Sequence, residues 1–149
     1  MSFLGKVKKK LRNGSWYPFY NTFYEKNNLD PHMILLESRS GKALESNILS
    51  LLKELCQEPY RSFTLVLSVH RDSENEIKEK LQKNSIQGVR FVRTGSVAYY
   101  HALSRAGYLV NDTSFPGRFI KKEGQIYLNT WHGTPLKKMG RDNRPEMVT

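Results

Sequence analysis

The C-terminal part of the chain places a histidine in a setting that suits acid–base chemistry. His132 follows a predicted strand and is itself followed by Gly133, Thr134 and Pro135. Gly133 permits a tight turn, Thr134 can cap a helix, and Pro135 suits the first helical position. We therefore expect the histidine at a helix N-terminus, where the dipole favours the neutral imidazole that a general base needs. A histidine satisfied by the backbone of an ordinary turn fits the same spacing.

Polar and basic loops at three predicted strand ends could bind phosphate. They are residues 37–42, residues 111–115 and the segment that begins at His132 and contains two lysines within a turn. In an open α/β sheet, ligands meet the C-terminal ends of the strands. From these loops we take the following candidates for binding an acceptor or its phosphate: Ser40, Gly41, Lys42, Asp112, Gly133, Thr134 and Lys137.

Alternating strands and helices must position these loops. Short apolar strands separated by amphipathic helices are typical of βαβ units and of a parallel sheet buried on both faces. Right-handed crossovers then predict an α/β fold, a Rossmann-like doubly wound parallel sheet. No GxGxxG or GxxxxGK[ST] motif occurs at a strand–helix junction, so the phosphate cradle of dinucleotide and P-loop proteins is lacking. The predicted strands are residues 32–37, 63–69, 89–93, 108–111 and 125–131, with helices at 43–57, at 73–83 capped by Ser73, and at 96–106 capped by Ser96.

Positive charge is concentrated at the two ends of the sequence. The 149 residues carry a formal net charge of +10, of which residues 1–12 contribute +5, residues 13–117 +1 and residues 118–149 +4. This distribution indicates localised contact with anions. Residues 2–12 are predicted to form an amphipathic helix for an anionic membrane surface, or else a solvated helix that packs on its own domain. The basic residues of this helix are Lys6, Lys8, Lys9, Lys10 and Arg12.

Aromatic residues follow directly after the basic stretch. Residues 15–27 contain six aromatic side chains, and a helix is expected from about Pro18. Such a stripe fits either packing within the protein or a membrane interface, and both interpretations stay open. The predicted organisation is therefore a basic helix at 1–14, an aromatic-rich helix at 15–30 and a Rossmann-like domain at 31–149. A single cysteine and four scattered histidines predict neither a disulfide nor a metal site.

Two groups of motifs resemble those of one enzyme family. Residues 111–116, 125–127 and 131–140, the last of which contains the long string WHGTPLK, closely resemble the CDP-glycerol glycerophosphotransferases. These are the teichoic acid polymerases and primases of Gram-positive bacteria. The run Glu37-Ser38…Gly41-Lys42…Asn47 is similar to a second family signature, "ES…GK…N". The resemblance covers residues 30–142, most of the chain.

The resemblance implies a fold and a reaction. It implies the N-terminal half of a GT-B-type fold, peripheral on the cytoplasmic face of the cell membrane. The family transfers glycerol phosphate, or ribitol phosphate, from CDP-glycerol or CDP-ribitol to a hydroxyl of a lipid-linked polyol-phosphate acceptor, without a resident cofactor. His132 corresponds to the general base. Because relatives carry a C-terminal donor-binding domain that these residues do not supply, we expect the acceptor-side domain here and no activity from this chain alone.

Two other functions fit parts of the sequence. One is a non-catalytic membrane-tethering or interaction module on the same scaffold. The other is a nucleic-acid-binding domain, suggested by the net charge and eight tyrosines. The aromatic residues cluster at 16–24 instead of alternating with Lys and Arg on strands, as RNA-binding sheets require. We therefore expect no nucleic-acid partner.

Overall fold

Five parallel strands form a sheet in the computed structural model, which describes residues 17–117 and 119–131. The strands are β1 (Asp30–Glu37), β2 (Thr64–Val69), β3 (Arg90–Arg93), β4 (Ala106–Asn111) and β5 (Ile126–Asn129). Their spatial order is β3-β2-β1-β4-β5, so the direction in which the chain builds the sheet reverses between β1 and β4. Such a reversal is where open α/β sheets bind their ligands. The predicted doubly wound α/β sheet is confirmed.

Within the described residues, four α-helices cover the two faces of this sheet. They are α1 (Tyr17–Lys26), α2 (Ser46–Leu55), α3 (Glu74–Lys83) and α4 (Val97–Arg105). Neighbouring strand residues point to opposite faces. Leu36 therefore joins a core with Ile48 of α2 and Leu81 of α3, whereas Leu35 joins a second core with Tyr99 of α4. In this part of the chain no helix has the length and apolarity needed to cross a bilayer.

Helix α1 packs against α4 through Tyr20. This side chain is only 2% exposed, and its hydroxyl donates to the Ile120 carbonyl at 2.8 Å. Its ring also contacts the rings of Tyr100 and Phe119. For Tyr20, packing within the protein is therefore the interpretation that the structure supports. The predicted basic helix, with Lys6, Lys8, Lys9, Lys10 and Arg12, lies outside the described residues.

Some predicted element ends are wrong. Helix α2 begins at Ser46 instead of directly after Lys42, because a 3₁₀ turn at Arg39–Gly41 and three residues without regular structure come first. The hydroxyl of Ser73 makes no capping bond, because a second 3₁₀ turn that ends at this residue leads into α3. The cap at Ser96 is confirmed, since its hydroxyl accepts the backbone N–H three residues on at 3.2 Å.

Strand β5 is shorter than predicted and lies at an edge of the sheet. It ends at Asn129, because Trp131 takes a left-handed backbone conformation with φ 55°. Its residues are all exposed, including Ile126 and Leu128 at 56% and 51%. The strand thus brings the chain to the C-terminal edge of the sheet directly before His132.

Candidate functional site

Polar side chains line the C-terminal edge of the sheet across four strands. Ser68, Glu37, Asn111 and Asn129 lie at or next to the ends of β2, β1, β4 and β5, and the strand register pairs each with the next. We call these four residues the polar row. Ser68, Glu37 and Asn111 are each at most 1% exposed, whereas Asn129 is exposed. Because the row crosses the reversal between β1 and β4, it marks the expected ligand edge.

Glu37 is an ionisable group at the centre of the buried part of this row, between Ser68 and Asn111. Burial raises the pKa of its carboxyl, the hydroxyls of Ser68 and Tyr99 act in the opposite direction, and the nearby Asp112 carboxylate raises the pKa further. Burial likewise raises the pKa of Tyr99, which therefore stays protonated. Although these groups interact, Glu37 Oε2 and Tyr99 Oη have no partner in hydrogen-bond geometry among the described residues.

The raised pKa sets how Glu37 contributes to stability. Because the folded state holds the proton more tightly than the unfolded state, the contribution is fully present below the ordinary value near 4.5. It is lost as the pH rises through the higher pKa of the folded state. Above that raised pKa the ionised carboxylate opposes folding, which is a cost that proteins tolerate at functional sites.

The loop after β1 has an unusual backbone. Arg39, Ser40 and Gly41 have φ of 49°, 54° and 78°, so three successive residues are left-handed. The conformation costs about 1–3 kcal/mol at each residue other than glycine and persists only where surrounding contacts hold it. Strained backbone of this kind clusters at binding and catalytic sites. The loop is therefore a candidate ligand-binding element.

Asp112 holds this loop through two hydrogen bonds to its carboxylate. Its Oδ2 accepts the Ser38 hydroxyl and its Oδ1 accepts the Arg39 N–H, both at 2.7 Å. The same Ser38 oxygen accepts the Glu45 N–H at 3.0 Å, just before α2. Asp112 is 1% exposed, and both its carboxylate oxygens are used within the protein. The structure therefore favours a positioning role over the direct phosphate contact that the sequence predicts.

Gly41 fixes the other side of the loop. Its carbonyl accepts the His70 N–H at 2.6 Å, which ties the loop to the end of β2. A Cβ atom at this position would overlap Thr94 Oγ1 and lie 2.8 Å from His70 N. Gly41 is thus required for the packing of the loop against the ends of β2 and β3.

The exposed face of the loop carries groups that suit phosphate. Ser40 and Lys42, both predicted as binding residues, are exposed there, and so is Arg39. A hydroxyl, an ammonium and a guanidinium can all donate to phosphate oxygens. Arg39 was not singled out from the sequence, because its exposure depends on the left-handed turn.

The segment that leads to His132 reaches the same edge. Thr130 N–H donates to the Asn111 carbonyl, and Trp131 N–H donates to Asn129 Oδ1, each at 2.8 Å. The Asn47 side-chain amide, in the first turn of α2, donates to the Trp131 carbonyl at 3.0 Å. The residues directly before His132 therefore lie against the end of β4 and the first turn of α2. The predicted residues His132, Gly133, Thr134 and Lys137 lie outside the described residues.

Comparison with known proteins assigns the family. Residues 19–149 match the family model described as CDP-Glycerol:Poly(glycerophosphate) glycerophosphotransferase. The chain belongs to this family. The resemblance inferred from the motifs is confirmed, and the members of this glycerophosphotransferase family are transferases.

Similar glycerophosphotransferases are much longer than this chain. It is 31% identical over 123 residues to the teichoic acid poly(glycerol phosphate) polymerase of Staphylococcus epidermidis, which covers 83% of this chain and 16% of that protein. It is 28% identical over 137 residues to the teichoic acid glycerol-phosphate transferase of Staphylococcus aureus, covering 91% of this chain and 33% of that one. The chain thus spans at most a third of these two relatives.

Solved structures of a wall teichoic acid polymerase share the fold. The wall teichoic acid polymerase TagF aligns with a TM-score of 0.67 at 26% identity, over 97% of this chain and 35% of that one. A variant of TagF soaked with CDPG aligns with a TM-score of 0.69 at 26% identity, over 99% and 36%. The α/β fold of the family is therefore present in this chain.

Some residues of the site were missed by the sequence analysis. Ser68, Thr94 and Tyr99 lie around the base of the loop, yet none was predicted as a site residue, and Glu37 was named only as part of the loop 37–42 and of a family signature. The detectable signal for its role was that Glu37 is a charged residue directly after the apolar run at residues 33–36. The others become neighbours only through strand order, which residue spacing does not specify.

Proposed function

We propose that this chain forms the acceptor side of a transferase that moves glycerol phosphate from a CDP-activated donor to a hydroxyl of a membrane-linked acceptor. The product would be teichoic acid or a related cell-wall or capsule polymer. In the alternative form of the reaction, CDP-ribitol is the donor and ribitol phosphate is transferred. Family membership supports the reaction class. The observation that carries the proposal is the 3.0 Å contact from Asn47 to the Trp131 carbonyl, which joins the two family signatures at the ligand edge.

The chemistry follows from the residue types. His132 would accept the proton of the acceptor hydroxyl while that oxygen forms a bond to the phosphorus that bears glycerol. The anhydride bond to CMP breaks, and CMP leaves with the electron pair. Such a transfer needs a base on the nucleophile and donors around the phosphates. We assign the second role to Ser40, Lys42 and Lys137, with the donor held by a further domain and no cofactor.

A domain exchange tests this function. Residues 19–149 would replace the matching segment of the Staphylococcus epidermidis polymerase, and transfer from labelled CDP-glycerol to acceptor would be measured. We expect an active chimera in which His132→Ala lowers kcat roughly 100-fold or more, because general-base catalysis contributes about that much. His101→Ala is the matched control, since this ring packs against Phe23 at 5.4 Å in the helical layer. Full activity of the His132→Ala chimera would refute the assignment, and a folded but inert chimera favours the non-catalytic module.

We also propose that residues 1–14 hold the protein at the cytoplasmic face of the membrane. Each basic residue near an anionic surface contributes about 1 kcal/mol. Sedimentation with phosphatidylglycerol vesicles should therefore pellet the 149-residue chain and leave Lys8/Lys9/Lys10→Glu in solution. The control, Lys78/Lys80/Lys83→Glu on α3, makes the same change of charge elsewhere. Equal pelleting of both triple variants would contradict the proposal.

A further inference from the structure

We propose that Asn47 is a positioning residue that holds the backbone at Trp131 and so sets the place of His132. Asn47 is the second residue of α2, and its side chain is exposed. Its amide nitrogen lies 3.0 Å from the Trp131 carbonyl oxygen and 3.4 Å from the Thr130 carbonyl oxygen, and donates to both. The inference rests on the proposed function, because it affects the reaction only if His132 is the base.

The held segment lies beyond the regular ladder of the sheet. Pairing of β4 with β5 ends at Asn129. Trp131 then adopts φ 55°, a left-handed conformation that a bulky residue keeps only under external contacts. Asn129 holds the Trp131 N–H at 2.8 Å, and Asn47 holds its carbonyl. Both sides of this residue are thus fixed by asparagine side chains.

Peptide geometry transmits the constraint to the histidine. The Trp131 carbonyl and the His132 nitrogen belong to one peptide unit, which is planar and moves as a whole. A hydrogen bond to that carbonyl oxygen therefore restrains the peptide unit that leads into His132. Misplacement of a catalytic group by about 1 Å can cost 100-fold in rate, so this restraint has a kinetic consequence.

We call the hydrogen bonds from Asn47 to the Thr130 and Trp131 carbonyls the clamp. The clamp is also connected to the strained loop. Helix α2 is joined at its start to Ser38 through the Glu45 N–H, and Ser38 is bonded to Asp112. Asn47 lies two residues further along the same helix. The phosphate-facing loop and the peptide before His132 therefore share one support, and α2 sets their relative position.

Spectroscopy on the 149-residue chain tests the clamp without any activity. In a Trp16→Phe background, Asn47→Ala and Asn47→Asp should both increase acrylamide quenching of Trp131. Both should also shift the NMR ring signals of His132 more than those of His32, His70 and His101. Asn84→Asp is the matched control, since its amide donates to the Lys80 carbonyl at 2.7 Å on α3.

Each outcome of these measurements decides for or against the clamp. Unchanged Trp131 and His132 signals in a folded Asn47→Ala chain overturn the proposal, and so does a change seen with aspartate but not alanine, which reports charge alone. In an active chimera, Asn47→Ala should lower kcat about 10- to 100-fold with an unchanged acceptor KM. An unchanged kcat there refutes the kinetic role. A folded but inert chimera counts against the proposed function, while the spectra still decide whether Asn47 holds the Trp131 carbonyl.

Discussion

Replacing Gly41 with alanine is expected to lower the free energy of unfolding by about 3 kcal/mol and the Tm by about 6 to 12 °C. Two effects add. A residue with a Cβ atom is strained at φ 78°, and the new atom would overlap Thr94 Oγ1 and lie 2.8 Å from His70 N. The His70 nitrogen cannot move away without breaking its 2.6 Å hydrogen bond to the Gly41 carbonyl. Thermal and urea unfolding of the 149-residue chain measure the loss.

Two other glycines separate the effects. Gly88 has φ 76° but open space around it, so Gly88→Ala carries only the conformational cost of about 1–2 kcal/mol. Gly107 has no positive φ, but a Cβ atom there would lie 2.8 Å from the Asp30 carbonyl oxygen, so Gly107→Ala destabilises only through that contact. If Gly41→Ala costs no more than Gly88→Ala, the loop does not pack as described.

Replacing Asp112 with alanine is expected to cost about 2 to 4 kcal/mol at neutral pH. The change leaves the Ser38 hydroxyl and the Arg39 N–H without the acceptor that each has at 2.7 Å. It also removes buried side-chain volume next to a loop that already has a strained backbone. Asp112→Asn should cost less, because its amide oxygen still accepts one of the two donors. Urea unfolding of both variants checks the order.

Glu37 provides an internal check on Asp112, because the two carboxylates repel each other. Glu37→Gln should stabilise the chain at a pH above the raised pKa of the Glu37 carboxyl, and the gain should shrink as the pH falls through that pKa toward 4.5. In the Glu37→Gln background, Asp112→Ala should cost more, since its loss no longer relieves repulsion. Simple additivity of the two changes at a pH above the raised pKa of Glu37 would show that these groups are not coupled.

The strands and helices were predictable because burial leaves a clear pattern of apolar residues in the sequence. The apolar runs before Glu37 and Val69 predict β1 and β2 to within two residues. Strand β5 was predicted too long, because a run of residues cannot reveal that Trp131 turns left-handed. The start of helix α2 was predicted too far toward the N-terminus for a similar reason. Leu44 is buried although it lies in a non-helical segment, so its burial does not indicate a helix.

The candidate site was predictable in its residues but not in their roles. The composition of the loops singled out Ser40, Gly41, Lys42 and Asp112. It did not show that Ser40 and Lys42 are exposed whereas Gly41 and Asp112 are buried. The bond between Ser38 and Asp112 joins residues 74 apart in sequence, and it exists because β4 returns to pair with β1. Strand order decides such contacts, and order depends on which pairing buries most surface. Motif spacing contains no information about that competition.

The central position of β1 couples the site to folding itself. The partner strand β4 begins roughly 70 residues after β1 ends, so this pairing closes a long loop, whereas β1 and β2 meet through one short crossover. The polar row spans both pairings, with Ser68 on one side of Glu37 and Asn111 on the other. No partly folded chain that lacks the β1–β4 pair contains the row. A ligand bound at this edge therefore selects the completely folded chain and stabilises the whole sheet by mass action.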